Sequence, residues 1–198
     1  MLSLIILSVG MVPANPGESP AELAAWIDAR LEIAWRAKSL PPRPAAGDAV
    51  FLRRAYLELT GAIPSVAEAR DFLDSTSAGK RERLIRSLLD DKRFAEHYAR
   101  LWARTLAPAG NTRGPLESWL RGEFRKNTPF DQIAKAVLTA KGDAATASPA
   151  ALYFAVGNSP ERIAEAVARG LLGVRLGCAQ CHNHPFTSWK REHFWGMA

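Results

Sequence analysis

Apolar residues recur every three or four positions along most of this chain, and each recurrence opens at a helix-start signal. Ser19-Pro20-Ala21-Glu22 has the form of a capping box with proline at the first helical position. Behind it Leu23, Trp26, Ile27, Leu31, Ala34 and Trp35 share a helical face, and the proline-rich LPPRPAAGD at 40–48 ends that helix. Asp48 is then positioned to cap a second helix with Val50, Phe51, Ala55, Leu57 and Leu59 as its apolar members. Ser65-Val66-Ala67-Glu68 makes another capping box, for a short helix through Leu73.

Two further helices are predicted over 81–89 and 93–106, the second with Phe94, Tyr98, Leu101, Trp102 and Leu106 facing inward. APAGNTRGP reads as a loop, 116–125 as a helix, and Thr128-Pro129 as the start of another helix carrying Phe130, Ile133, Ala134, Val137 and Leu138. GDAATASPAA reads as a linker. Ser159-Pro160-Glu161 opens a helix whose apolar face, Ile163 to Val174, runs on to deliver Cys178. A last helix is expected after Pro185. No strand alternation, hairpin signal or fixed repeat interrupts this pattern, so the fold class is all-α: a multi-helix domain with short loops.

Composition refines this reading. With 198 residues, 47% hydrophobic and 23% charged, the chain can bury a core and is not of disordered type. The net charge of +6 comes from charges that alternate in sign. RxxR runs occur, but no basic block is interleaved with stacking aromatics, so no nucleic-acid partner is expected. Leu2 to Val12 form an apolar run too short to span a bilayer, with Ala14 at a cleavage position. Residues 1–14 therefore read as a signal peptide without the usual positive start, residues 15–198 as the helical domain, and the location as periplasm or cell surface.

The candidate chemistry lies in LGCAQCHNHPFTSWKREHFW, which holds both cysteines of the chain and three of its four histidines. C-x-x-C-H suits c-type haem attachment: Cys178 and Cys181 would bond the two vinyl groups, and His182 would ligate the iron. His193 and Met197 are the local candidates for a sixth ligand. A zinc set of Cys178, Cys181, His184 and His193, or with His182, is the alternative, although zinc ligand pairs usually enclose a longer loop. A thioredoxin-like dithiol lacks its βαβ setting, and a plain structural disulfide or buried thiol pair remains open. His97, alone on its helix, reads as a structural or surface residue rather than a ligand. No Ser/His/Asp order, paired carboxylates or phosphate-binding loop points to an enzyme.

FLRRAYLELTGAIPSVAEARDFL, RERLIRSLLDDKRFAEHYARLWARTL, TPFDQIAKAVLTAKG and LLGVRLGCAQCHNHPFTSW together resemble a planctomycete cytochrome-associated exported domain family of unknown function. The similarity runs from about Ala21 to the end. It implies an all-helical exported module that carries haem c, part of a larger protein with a cytochrome c-like domain and with other domains or a redox partner beside it. The chain departs from the family at Asn183 and Thr187, where aspartates are common. Both changes remove carboxylates that orient imidazoles or bind metal. The family pattern continues beyond Ala198, so the domain reads as truncated there.

Overall fold

The computed structural model describes residues 19–108, 113–142 and 146–198. The expected signal peptide at 1–14 lies outside the described residues. The described residues form ten α-helices and one 3-10 turn, with no strand, so the all-α expectation holds. The chain divides into two compact units, residues 1–46 and 47–198.

The first unit contributes α1 (Pro20–Ala37). Its capping box forms as expected: the Glu22 backbone N–H donates to Ser19 Oγ, and Glu22 Oε2 accepts from the Ser19 N–H at 3.0 Å. The apolar stripe read from the sequence does exist, yet α1 buries no residue, and Leu23, Ile27 and Leu31 stay exposed.

The second unit begins with α2 (Asp48–Thr60), α3 (Val66–Asp74) and α4 (Lys80–Leu89). Asp48 does not cap α2. Gly47 occupies the cap position, and the Asp48 carboxylate instead takes Lys80 Nζ at 2.7 Å and Arg81 Nη2 at 2.6 Å. The buried face of α2 is Leu52, Ala55, Tyr56 and Thr60, while Val50 and Leu57 are exposed. These four follow the i, i+3, i+4, i+8 helical period, which the expected Val50 and Leu57 break. Leu52, Ala55 and Tyr56 pack with Phe72 of α3 and Leu88 of α4.

The central pair is α5 (Lys92–Leu106) and α6 (Gly114–Arg125). On α5 Leu106 is buried as expected, but the aromatics Phe94, Tyr98 and Trp102 are only half-buried, Leu101 is exposed, and Ala95, Ala99 and Ala103 fill the rest of the buried face. A ridge of alanines at four-residue spacing lets helices pack closely, with Leu116 and Leu120 of α6 fully buried in the same cluster. Trp102 packs at the margin. α7 (Phe130–Leu138) adds Ile133 and Val137 as expected, and Leu138 is exposed. The expected linker leads into a short helix, α8 (Ala151–Ala155), whose five residues are too few to show a period but bury Ala151 and Leu152. His97 is structural, as read: its ring crosses Tyr98 edge-on at 5.6 Å and lies against the Cα of Gly61.

α9 (Pro160–Leu171) opens at its Ser159 cap, whose hydroxyl accepts from the Arg162 N–H. It ends at Leu171, short of the expected Val174. Gly173 adopts φ 67°, and the Val174 N–H returns to the Ala168 carbonyl, closing the helix two residues beyond Leu171. The chain then enters a 3-10 turn, Gly177–Gln180, and ends in α10 (Arg191–Met197).

Candidate functional site

The CAQCH segment sits on a small hydrophobic seat. Ala168 of α9, Leu176, Ala179 and Phe194 of α10 form one buried cluster, with Trp189 and Met197 packed on it. Ala179 is fully buried, so the 3-10 turn is held from inside by one of the two residues between the cysteines. Cys178 lies within the 3-10 turn, and Cys181 is the residue that caps its end. Both are free thiols and both are exposed. From outside, Trp195 Nε1 donates to the Gln180 carbonyl at 3.1 Å, tying the turn to α10. Met197 packs on the seat, and His193 serves as a cap, so neither proposed sixth ligand stands free.

All three histidines are engaged through Nδ1, but they differ in whether that nitrogen donates or accepts. His182 Nδ1 lies 2.7 Å from the Asn183 carbonyl oxygen. A carbonyl only accepts, so Nδ1 carries the proton and the Nε2 lone pair is free. His184 Nδ1 accepts from the Phe186 N–H at 3.2 Å, and His193 Nδ1 accepts from the Lys190 N–H at 3.1 Å. Their lone pairs are therefore used by the backbone and their ring protons sit on Nε2. His193 Nε2 also faces Glu192 Oε1 at 4.0 Å. Among the described residues no three His, Cys, Asp or Glu side chains converge as a metal-ligand group. The zinc set Cys178, Cys181, His184 and His193 is thus not brought together.

The orienting role assigned to a carboxylate at position 183 falls to the backbone instead. The Asn183 carbonyl holds His182, while its side-chain Oδ1 accepts from the Arg191 N–H and caps α10. Thr187 Oγ1 accepts from the Trp189 N–H. The two departures from the family pattern therefore leave the imidazole held.

Beside the turn lies a cavity of about 650 Å³ between the end of α5, α9 and the chain around Cys178. Of the three motif residues, only Cys178 lines it; His184 does also. Arg104, Arg169 and Arg175 face the same space with one carboxylate, Glu165. Arg169 is committed: Nε and Nη2 donate to the last carbonyls of α5, Thr105 and Leu106, and Nη1 lies 3.7 Å from Glu165. Arg104 and Arg175 have no hydrogen-bond or ion-pair partner among the described residues. Sequence reasoning missed all three arginines. Arg175 stands near Cys178 in the chain, but nothing local marks Arg104.

No helix among the described residues is long and apolar enough to cross a membrane. No curated protein and no solved structure matches the chain. The family model that matches is PSCyt2, described as a protein of unknown function (DUF1549), over residues 26–198, and the chain belongs to that family.

Proposed function

We propose that this domain carries covalently attached haem at Cys178, Cys181 and His182 and passes single electrons at an exported site. The observation that carries the reading is the state of His182: its Nδ1 proton is bound to the Asn183 carbonyl, leaving Nε2 as a ready iron ligand. The two exposed thiols three positions apart beside it fit the rest of the motif. Each thiol adds S–H across one vinyl C=C bond: sulfur bonds one carbon, hydrogen goes to the other, and no oxidant is needed. His182 would supply a ligand to the iron through Nε2. The bound iron supplies one-electron chemistry. Asn183 and the hydrophobic seat fix the imidazole and the turn.

The wider reading follows from the resemblance in sequence. The domain is exported after removal of residues 1–14 and works beside a cytochrome c-like domain or another redox partner in a larger cell-surface protein.

The test is maturation of the full chain in a periplasm competent for c-type haem. Denaturing mass spectrometry should find one haem mass bound to wild type. Cys178→Ala or Cys181→Ala should weaken or abolish that retention, and His182→Ala should change the Soret band while thioethers persist. Colourless wild-type protein without the added mass would overturn the reading. Zinc near one equivalent would point instead to a metal-binding interaction module, and loss of two hydrogens to a structural disulfide.

A further inference from the structure

The cavity beside Cys178 carries a charge that the attachment motif does not use. Its cations outnumber its carboxylates three to one. Arg169 is closed: it donates to the last carbonyls of α5 and lies 3.7 Å from Glu165, the one carboxylate on the wall. The excess is Arg104 of α5 and Arg175 after α9, two guanidinium groups lining one space without a partner among the described residues. Like charges around one cavity repel, and an anion bound there offsets that repulsion. His184 lines the same wall, and with its Nδ1 taken by the Phe186 amide its Nε2–H is left as a donor.

Planar guanidinium groups pair best with carboxylate or phosphate, often through two parallel hydrogen bonds. The cavity, about 650 Å³, has the size of a small-molecule site. We propose that it binds a small dianion, a phosphate ester or a dicarboxylate, through Arg104 and Arg175. Two open cations favour a ligand with two negative charges over one with a single charge. The inference does not rest on haem: packing of α5 against the chain after α9 places both arginines whether or not the thiols are bonded. Cys178 stands on the cavity wall and Cys181 does not, so the first thiol is a reporter of the site and the second its control.

The experiment uses the full chain, reduced and prepared without haem, in two single-thiol forms: Cys181→Ala, which keeps Cys178, and Cys178→Ala, which keeps Cys181. Mass spectrometry follows alkylation by iodoacetate, an anion, and by iodoacetamide, its neutral analogue. Both reagents attack through the same thiolate, so the ratio of their rates cancels differences in thiol ionisation. At low salt that ratio should be about ten-fold higher at Cys178 than at Cys181, the lower end of what a focused field adds to association. Added sodium chloride should shrink it. Arg104→Gln/Arg175→Gln should bring the Cys178 ratio down to that of Cys181, while Arg53→Gln/Arg54→Gln, which removes two exposed arginines of α2, should leave it unchanged. Phosphate or succinate, at matched ionic strength, should then slow iodoacetamide at Cys178 but not at Cys181, and acetate should slow neither. Protection by phosphate alone assigns a phosphate ester, and protection by succinate alone a dicarboxylate. Equal ratios at the two thiols overturn the inference. So does a raised ratio with no protection by either dianion, which is a positive surface without a site. The salt and dianion arms need no arginine variant, so they decide the matter even if the glutamine pair fails to fold. Their failure leaves the haem reading intact, and absence of covalent haem after maturation leaves this inference intact.

Discussion

The α2–α5 region and the turn around Cys178 treat charge in opposite ways. In the first, ionic groups are closed on one another. Arg93 Nη2 reaches Glu68 Oε1 and Asp91 Oδ2, each at 2.7 Å, and its guanidinium lies over the Tyr56 ring. This Arg93 contact, with the Ser65 cap amide behind it, draws the Glu68 carboxyl down to about 2. Lys80 likewise spans Asp48, the Ser75 carbonyl and the Phe72 ring. Around Cys178 the reverse holds: two thiols exposed, one imidazole lone pair free, and two guanidiniums unpaired among the described residues. A closed network holds helices together and has little left for a ligand. Groups left open cost stability or contribute none, and such costs gather where chemistry is done.

The contrast can be tested most strongly at Phe194, the largest fully buried side chain and the foundation of the turn. Phe194→Ala should cost about 3–5 kcal/mol, the usual range for a buried aromatic. It should also speed amide exchange at Ala179 more than in α2. Equal loosening of both regions would mean that the turn has no seat of its own.

Gly61 tests the closed region. It adopts φ 69°, and a Cβ there would come within 2.3 Å of His97 Nδ1. Gly61→Ala should lower stability by about 1–3 kcal/mol, from backbone strain and overlap together. Adding His97→Ala should return the overlap part and leave the strain, which a double-mutant cycle in denaturant measures.

Arg93→Gln should cost about 1–2 kcal/mol at neutral pH, because two partly buried carboxylates lose their partner. The sign with pH follows from Glu68. Its folded value is depressed from 4.5 to about 2, so its contribution is present above 4.5 and lost as pH falls through that interval. The gap between wild type and variant should narrow over the same range. A gap that stays constant down to pH 2 would show that the pair is held by packing rather than by charge.

The smallest effect is expected at the motif. Cys178→Ser/Cys181→Ser should change the stability of the haem-free protein by less than about 0.5 kcal/mol, because both side chains are exposed and unbonded. A larger loss would make the cysteines part of the fold and weaken the division drawn between the regions.

Local chemistry was legible in the sequence. The capping boxes at Ser19 and Ser65 and the cap at Ser159 depend on atoms within three residues, and they form as read. The CAQCH motif was equally plain as a string. Reading which face each helix buries was less successful. On α5 the alanines are buried because α6 needs a thin ridge, while size alone favoured the aromatics. The end of α9 at Leu171 was missed because the apolar spacing continues past Gly173, whose left-handed backbone stops the helix. Tertiary structure alone decided the surroundings of the motif. The His182 tautomer depends on how the backbone turns at Asn183, and Arg104 and Arg175 line one cavity only because α5 and the chain that follows α9 meet beside Cys178. Sequence fixes interactions whose partners lie within a turn of one another; partners some seventy residues apart meet only when packing closes the chain between them.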